Sequence, residues 1–295
     1  MSILNRIKEL YDRNSNILKY LRNLDAGSGN SVGDIAISYD FQAGVYTEAY
    51  KKDPAFRNEF GCRLAKIIQS LGHFSSLLEV GVGEATTLGP TLKQFKAAPK
   101  QCYGFDISWS RIKYARKFLS EIDSRDIELF VGDLFRTPLK NNSIEIVYTN
   151  HSIEPNGGNE RAALEELYRI TNKYLILLEP SYEFADEQAR NRMIEHGYIT
   201  NLYATAKELG YDIIEHRLFD ISVNPLNPTG LMIIQKQEHG TIAEPLCCPI
   251  TKTDLIRRNH ALFSPESLLA YPIIDDIPCL LQQNAIVATK FLDNQ

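Results

Sequence analysis

The sequence predicts an α/β fold in which a doubly wound, mainly parallel seven-stranded sheet ends in an antiparallel strand pair and is followed by a small C-terminal α+β domain. Three observations predict it. Between residues 76 and 180 short apolar runs alternate with helical patterns, and such repeats form parallel strands joined by crossover helices. The next two runs are joined by a connection too short for a helix, so they should pair antiparallel. After residue 244 the pattern becomes Pro-punctuated, without a long helix.

The first elements precede the sheet. Apolar residues recur at helical spacing over residues 3–24, and the Gly- and Ser-rich stretch 25–33 is a loop by composition. Residues 1–33 are therefore interpreted as an N-terminal helix and linker. A second helix is predicted over 54–71, because a Pro near its start and Gly72 just past its end match the capping asymmetry of helices.

The alternating pattern then assigns the sheet. The predicted strands are 76–80, 102–107, 127–132, 144–149, 174–179, 211–219 and 229–236. The predicted helices between them are 86–95, 108–122, 159–170 and 185–209. We expect residues 34–240 to form one domain around this sheet and residues 245–295 to form the small one.

Composition excludes several classes of protein. With 295 residues, 44% of them hydrophobic and 23% charged, the chain has room for about two domains and does not resemble a disordered or fibrous protein. Its net charge of -5 has the wrong sign for general nucleic-acid binding, although a local basic patch stays open. The longest apolar runs, such as 174–178, are far shorter than the roughly 20 residues of a membrane helix.

The N-terminal segment and the cysteines point to a cytosolic protein. The first 14 residues carry charges at short intervals and have neither the apolar segment nor the cleavage site of a secretory signal. An odd number of cysteines, two of them adjacent, does not suggest a disulfide framework. The five are Cys62, Cys102, Cys247, Cys248 and Cys279.

The turn after the first predicted strand is a candidate binding loop. Gly81 and Gly83 let a ligand approach the backbone closely, and the following helix presents its positive end. Thr86 stands where a dinucleotide-binding turn carries its third glycine, which is a poor fit to pyrophosphate. Glu79, two residues before Gly81, disfavours pyrophosphate as well and suits an amine or a sulfonium ion.

Carboxylates also end the second and third predicted strands. Asp106 can accept hydrogen bonds from two ribose hydroxyls, or it caps the helix that begins near Ser108. Asp133 can bind an exocyclic adenine amine, with Gly132 and Leu134 lining the ring, or it is an ordinary turn aspartate.

In this order the motifs LLEVGVGEATTL, YGFDIS, FVGDL and IEIVYTNHSIEP resemble the class I S-adenosylmethionine-dependent methyltransferases, which have a Rossmann-like fold. The resemblance covers roughly residues 35–236. It implies that S-adenosylmethionine is the cofactor and S-adenosylhomocysteine the product, and that the cofactor contacts Glu79, Gly81, Gly83, Asp106, Ile107, Gly132, Asp133, Leu134 and Asn150. The chain departs from the family at Ala85, where glycine is common, and in the long interval from Gly83 to Asp106.

The segment after the fourth predicted strand, residues 150–158, is rich in groups that can move a proton. The resemblance implies that this loop bridges cofactor and acceptor, so His151 or Glu154 is the candidate general base. Such a base contributes about 10²- to 10⁴-fold where the nucleophile is a hydroxyl or protonated amine. Alternatively, both residues only support the loop.

Two segments could cover the acceptor. Residues 38–50 carry Tyr39 and Tyr46, and similar small-molecule methyltransferases close an N-terminal helix with tyrosines over the cofactor; ordinary core packing explains the aromatics equally well. Residues 179–200 carry Tyr182 among mixed charges, which also suits an exposed amphipathic helix. Tyr39, Tyr46 and Tyr182 are thus the candidate substrate contacts.

Residues 245–284 resemble the small zinc-ribbon-like domain of the family that includes the activator subunit of tRNA and protein methyltransferases. The matching residues are Cys248, Pro249, 270–273 and 275–278. A zinc ribbon needs C-x2-C twice, but Thr251 replaces the second Cys and the stretch 264–267 offers none. We therefore expect a domain that binds no metal and is held together by its apolar residues.

The predicted function is methyl transfer from S-adenosylmethionine to a small molecule, a metabolite or sugar-type acceptor. Three alternatives stay open. The C-terminal resemblance raises a tRNA or protein acceptor, and a catalytically silent scaffold could bind partners through the same domain. A nicotinamide-dependent oxidoreductase is disfavoured by Glu79 and by the antiparallel strand pair.

Overall fold

The computed structural model describes residues 3–13, 15–24, 30–124, 126–222, 224–236 and 243–293. Its helices are α1 (Ile3–Asp12), α2 (Ile17–Leu24), α3 (Val32–Phe41), α4 (Val45–Lys52), α5 (Ala55–Ser70), α6 (Leu88–Leu92), α7 (Trp109–Glu121), α8 (Glu160–Ile170), α9 (Glu187–His196) and α10 (Leu202–Glu208). No helix within these ranges combines the length and the hydropathy needed to cross a bilayer.

The main sheet has the strands β1 (Ser76–Val80), β2 (Gln101–Asp106), β3 (Ile127–Val131), β4 (Ile144–Asn150), β5 (Thr171–Pro180), β6 (Asp212–Leu218) and β7 (Thr229–Gln235). Their order is β3-β2-β1-β4-β5-β7-β6. The first five strands are parallel, and β7 runs antiparallel to both β5 and β6. The predicted sheet with its antiparallel last pair is therefore confirmed.

Helices cover both faces of this sheet. Residues of α8 and α10 pack with one face, and residues of α5 and α7 pack with the other. Every residue of β1 is buried, which explains why the central strands appear in the sequence as continuous apolar runs. The edge strand β6 instead consists of exposed and partly buried residues.

Two predicted helices are each divided in the structure. The predicted helix 3–24 was wrong as a single element: it breaks between α1 and α2, where the Asn16 side chain accepts a hydrogen bond from the Lys19 amide at 2.8 Å and caps α2. The predicted helix 185–209 divides into α9 and α10 because Gly197 ends α9 in the left-handed conformation, with φ +69°.

The predicted loop 25–33 lies mostly outside the described residues. The last two of its residues already belong to α3, so the loop is shorter than predicted. Ser31 caps this helix by accepting a hydrogen bond from the Asp34 amide at 3.1 Å.

The C-terminal unit forms a small antiparallel sheet from β8 (Ile256–Arg258), β9 (Ala261–Ser264), β10 (Leu269–Ile274), β11 (Ile277–Pro278) and β12 (Ile286–Val287). Apart from strands and turns, the described part of this unit has one 3₁₀ turn, Gln282–Asn284. It packs against the outer edge of β3, where the Leu280 amide donates to the Val131 carbonyl at 2.9 Å. A single isolated bridge, between Val131 and Cys279, thereby joins the unit to the edge of the main sheet.

A hydrogen-bonded thiol lies at the centre of this unit. The Cys248 sulfur is 3.5 Å from the Tyr271 hydroxyl and 3.6 Å from the Ser267 hydroxyl. Burial raises the pKa of the Cys248 thiol, but hydrogen bonds from Thr251, Tyr271 and Ser264 outweigh it and lower the pKa to about 6. Thr251 and Ser264 thus stand where a zinc ribbon would carry further cysteines, and their side chains donate hydrogen bonds to the Cys248 sulfur. Among the described residues no cluster of three or more His, Cys, Asp or Glu side chains could hold a metal.

Candidate active site

A cavity of about 830 Å³ opens at the carboxyl ends of β1 to β4 and is covered by α2, α3 and α4. Ligands of open α/β sheets bind at this edge. All nine residues that the resemblance assigns to the cofactor line the cavity, namely Glu79, Gly81, Gly83, Asp106, Ile107, Gly132, Asp133, Leu134 and Asn150. The candidate bases and two candidate substrate contacts line it too, namely His151, Glu154, Tyr39 and Tyr46.

The glycine turn after β1 is held between two neighbouring segments. Gly81 and Gly83 both have positive φ, +66° and +54°, a region that side chains disfavour. A Cβ added to Gly81 would lie 2.2 Å from the Ser152 Cβ in the loop after β4. On the other side, the Gly83 amide donates to the Asp106 carboxylate at 3.0 Å. Ala85 also adopts a positive φ, +59°, which accounts for the glycine common at this family position.

Asp106 connects the glycine turn to the next helix. Its Oδ2 accepts from the Gly83 amide, and its Oδ1 accepts from the Ser108 amide at 2.9 Å. The cap of α7 is Ser108, whose hydroxyl accepts from the Arg111 amide, so the capping alternative for Asp106 does not hold. Each carboxylate oxygen can accept a second hydrogen bond. Burial raises the pKa of Asp106.

Glu79 is a buried carboxylate at the end of β1. It is 2% exposed and accepts a hydrogen bond from the Tyr148 hydroxyl at 2.8 Å. Burial raises its pKa to about 8, against the opposing effects of the Tyr148 hydrogen bond and the Arg57 charge. A cationic ligand group beside Glu79 would favour the ionised carboxylate.

We therefore expect the affinity for S-adenosylmethionine, which carries a sulfonium and an ammonium group, to rise with pH up to about 8, the pKa of free Glu79. Ligand binding lowers this pKa, so a proton is released in the range between the bound and free values. Titration calorimetry in two buffers of different ionisation enthalpy measures the release. Glu79→Gln should release none, whereas a pH-independent affinity of the native chain would contradict the prediction.

The residues after β3 and β4 complete the predicted cofactor wall. The Asp133 Oδ1 accepts from the Phe135 amide at 2.9 Å. Asp133 is therefore a turn aspartate, and this role is independent of any ligand that it binds. Asn150 donates through Nδ2 to the Thr87 hydroxyl at 3.0 Å, while its buried Oδ1 has no hydrogen-bond partner. A buried unpaired acceptor is costly, so this oxygen points to a ligand donor.

His151 and Glu154 form a close pair beside this wall. The His151 Nδ1 lies 2.5 Å from a Glu154 oxygen, and its Nε2 lies 2.8 Å from the Thr229 hydroxyl. Burial lowers the pKa of His151, but the hydrogen bond and charge of Glu154 raise it above its usual value overall. The pair lowers the pKa of Glu154 in turn. Since an ionised carboxylate only accepts, the proton belongs on Nδ1 and the neutral ring keeps Nε2 as its acceptor.

Three residues that the sequence did not single out support this pair. The Glu179 carboxylate accepts from the amides of residues 152, 153 and 154 at 3.0 to 3.2 Å and so fixes the loop. The Asn227 amide nitrogen lies 3.4 Å from both Glu154 oxygens, and Thr229 contacts the ring. Only Glu179 had a signal in the sequence, because it is a carboxylate that ends an otherwise apolar strand.

A buried carboxylate fastens the roof of the cavity to the glycine turn. Glu84 is 1% exposed and accepts from the amides of Gly44, Tyr46 and Thr47 at 2.9, 3.3 and 2.7 Å. An anion at a helix N-terminus is stabilised by the free amides there, so Glu84 holds α4 in place. No sequence motif had singled out Glu84 for this role.

Tyr182, the third candidate substrate contact, is not among the residues that line the cavity. It packs with Ala185, Ala189 and Met193 at the start of α9, and the Arg190 guanidinium lies 5.0 Å from its ring centroid. The turn before α9 directs it into this small cluster. Tyr198, after α9, lines the cavity instead.

Comparison with known proteins identifies the class of enzyme. Residues 77–173 match the family model of a methyltransferase domain, so this part of the chain is a methyltransferase domain. Over a separately matched stretch of 44 residues the chain is 41% identical to a UPF0434 protein of Legionella pneumophila strain Lens, covering 15% of this chain and 75% of that protein. Through this stretch the chain belongs to the UPF0434 family.

Solved structures of methyltransferases are similar at low sequence identity. A SAM-dependent methyltransferase of Aquifex aeolicus is 17% identical, with a TM-score of 0.45 over 58% of this chain and 87% of that chain. Magnesium protoporphyrin IX methyltransferase of Synechocystis PCC 6803 is 12% identical, with a TM-score of 0.48 over 61% and 83%. One chain of a complex containing the Trm112 methyltransferase activator of Haloferax volcanii is 14% identical, with a TM-score of 0.49 over 69% and 98%.

Proposed function

We propose that this chain transfers a methyl group from S-adenosylmethionine to a small polar molecule bound in the same cavity. The observation that carries the proposal is the His151–Glu154 pair, which faces the cavity beside the predicted cofactor residues. The cavity of about 830 Å³ is in the upper part of the range of roughly 300–1,000 Å³ for small-molecule sites. It has room for a cofactor and a small acceptor.

The donors and acceptors of the wall fit S-adenosylmethionine. Asp106 has lone pairs for the ribose hydroxyls, Glu79 places negative charge where the sulfonium and ammonium groups would lie, and the unpaired Asn150 Oδ1 can accept from the ammonium. When bound, the cofactor supplies an activated methyl carbon for in-line displacement. The protein then contributes mainly alignment of nucleophile and methyl group.

The proposed mechanism uses the His151 Nε2 as a general base. An acceptor hydroxyl or protonated amine takes the place of Thr229 at Nε2 and gives its proton to the ring as its heteroatom bonds to the methyl carbon. Glu154 keeps the ring oriented through Nδ1 and stabilises the imidazolium that forms. The His151 ring does not have to move during this step, because the Glu179 carboxylate holds the backbone of its loop.

The closed roof supports a small acceptor over a macromolecular one. Lys19 of α2 pairs with Glu195 of α9 at 3.2 Å, and Arg22 donates to the Glu195 carbonyl at 3.2 Å. The Asn30 side chain donates to the Pro155 carbonyl at 2.8 Å. A tRNA or a folded protein would have to open these contacts to reach His151.

We further propose that the UPF0434 similarity belongs to the C-terminal unit, residues 245–295. The 44 matched residues make up 75% of that relative, so it is a protein of about 60 residues, close in size to this unit. The described part of the unit contacts β3, α7 and the segment between β3 and β4. Its proposed role is to stabilise the edge of the sheet without metal, as the hydrogen bonds to Cys248 suggest.

Methyl transfer can be tested without knowing the acceptor. The native chain and methyl-labelled S-adenosylmethionine are incubated with three fractions of a cell extract: low-mass solutes, RNA and protein. We expect label in the low-mass fraction. Label in RNA or protein alone would contradict a small acceptor, and cofactor binding without transfer to any fraction would favour the silent scaffold.

Asp106→Ala should weaken the binding of S-adenosylhomocysteine by about 10- to 150-fold, since hydrogen bonds to a charged acceptor are worth about 1.5–3 kcal/mol. Asp106→Asn keeps one acceptor oxygen and should lose less. Calorimetry gives the dissociation constants, and the melting temperature of each variant shows whether the fold is kept. An unchanged dissociation constant in a folded Asp106→Ala variant would remove Asp106 from the site.

A further inference from the structure

The strand β6 forms one of the two edges of the main sheet. The other edge, at β3, is joined to the C-terminal unit, whereas no strand within the described ranges pairs with the outer side of β6. An uncovered edge strand is a template for pairing with another chain, and natural proteins cover such edges or protect them with lysine and proline. The strand β6 contains neither lysine nor proline.

Backbone groups of β6 point outward from this edge. The strand pairs regularly with β7 over its last four residues, and just beyond them the Phe219 amide donates to the Thr229 carbonyl at 2.8 Å. Because backbone groups alternate in direction along a strand, the amides and carbonyls of His216 and Leu218 point away from β7. The Leu218 carbonyl accepts from the neighbouring Arg217 side chain at 2.9 Å and keeps a second lone pair.

Apolar side chains flank these backbone groups. Ile214 and Leu218 are each 45% exposed. Phe184 is 36% exposed, and its ring lies 4.9 Å from that of His216. The Tyr203 ring stacks on the same imidazole at 4.0 Å. A strand that added to this edge would therefore bury apolar surface as well as pair the backbone.

The charges of β6 are complementary to a second copy of the same strand. Glu215 and Arg217 are two residues apart, so they share one face of the strand, and both side chains are partly exposed while they pair at 2.6 Å. When two copies pair antiparallel about His216, Glu215 of each copy lies opposite Arg217 of the other. Pairing about Glu215 or about Arg217 would instead oppose like charges, which is destabilising.

We propose that two copies of this chain pair antiparallel through β6, with His216 at the two-fold axis. Since the backbone groups of His216 point outward, Glu215 and Arg217 fall at the positions between hydrogen-bonded pairs, where facing side chains are closest. The same register sets Ile214 against Leu218 of the other copy. An isologous contact uses each of these pairs twice.

The residue at the axis is compatible with this arrangement. Burial lowers the pKa of His216 against the opposing charge of Glu183, so the two rings that meet at the axis are uncharged at pH 7. The inference goes beyond the proposed function and does not depend on it, because its tests measure mass and not methyl transfer.

The first test is sedimentation equilibrium of the native chain. We expect a concentration-dependent equilibrium between one and two copies. A chain that stays monomeric at the highest concentration at which it remains soluble would overturn the proposal, and so would a continuous series of larger species, because pairing about a two-fold axis stops at two copies.

Charge reversal tests the register. Glu215→Arg and Arg217→Glu each oppose like charges twice, so each variant alone should raise the dissociation constant of the dimer about tenfold or more. Mixed in equal amounts, the two variants should form a mixed dimer, because every facing pair is then opposite in charge. The double variant Glu215→Arg with Arg217→Glu should dimerise within about threefold of the native dissociation constant.

A matched control separates this edge from exposed apolar residues in general. Ile286 is 61% exposed on β12 of the C-terminal unit, so Ile286→Glu should leave the dimer unchanged while Leu218→Glu weakens it. Melting temperatures show whether each variant is folded, and Leu218→Ser is used if Leu218→Glu is not. A native dimer that survives both single charge reversals would use another surface and overturn the proposal. Failure of the mixed single variants to dimerise would overturn the register.

Discussion

Gly81→Val is expected to weaken the binding of S-adenosylmethionine by at least about 30-fold. The new Cβ would lie 2.2 Å from the Ser152 Cβ, far inside ordinary contact, and the residue would have to keep a φ of +66°. Left-handed backbone costs about 1–2 kcal/mol and overpacking about 1–3 kcal/mol. Together they correspond to a loss of affinity from about 30-fold to more than 1,000-fold. Titration calorimetry with S-adenosylmethionine measures it.

A matched control separates the clash from the backbone strain. Gly210 has a similar φ, +72°, at the end of α10, and nothing lies within 4 Å of its added Cβ. Gly210→Val should therefore bind the cofactor normally. Because the clash is with one side chain, Gly81→Ala combined with Ser152→Gly should recover part of the affinity that Gly81→Ala loses. Normal binding by Gly81→Val would show that this turn is not the cofactor loop.

The main sheet could be predicted because its central strands are buried on both faces. A strand such as β1, buried at every residue, appears as an apolar run, and the connection between β6 and β7 is too short for a crossover. Local breaks were harder to predict. The helical pattern continues through Asn16, so only its side-chain cap on α2 reveals the break. Gly197 was a visible signal, but a single glycine inside a helical pattern is often tolerated.

The grouping of the predicted cofactor residues in one cavity wall was predictable for a topological reason. Its residues end consecutive parallel strands, and such ends share one edge of the sheet, so Glu79, Asp106 and Asn150 could be grouped from the order of the motifs. The partners that complete the site come from distant parts of the chain. Thr229 contacts His151 across 78 residues, and Glu84 fixes the backbone of Gly44 across 40 residues. No local pattern encodes these contacts.

Residue type alone did not predict that Tyr182 lies outside the cavity wall. Tyr182 shared with Tyr39 and Tyr46 an aromatic ring in a segment next to the expected site. The backbone after β5 turns it toward Met193 instead, while α3 and α4 carry the other two tyrosines to the Arg111 guanidinium. Residue type is the same in all three, so the direction of the chain decides which of them lines the cavity.

His151→Ala should lower kcat for methyl transfer by about 10²- to 10⁴-fold, the usual contribution of a general base. The dissociation constant of S-adenosylmethionine should change little, because the predicted cofactor contacts are on other residues. The rate of the native enzyme should rise with pH through the pKa of His151, which Glu154 raises above its usual value. The labelled acceptor found in the low-mass fraction provides the assay.

Two further variants distinguish a base from a residue that only supports the loop. Glu154→Gln removes the charge that raises the pKa of His151, so the pH profile should move to lower pH while the enzyme stays active. Thr229→Val removes the hydroxyl 2.8 Å from Nε2 and leaves this nitrogen free, so its kcat should not fall as that of His151→Ala does. If His151→Ala is folded, binds the cofactor and keeps most of the native kcat, the proton leaves by another route and His151 is structural. If the three variants instead lose activity in parallel with their melting temperatures, packing of the loop and not proton transfer explains the loss.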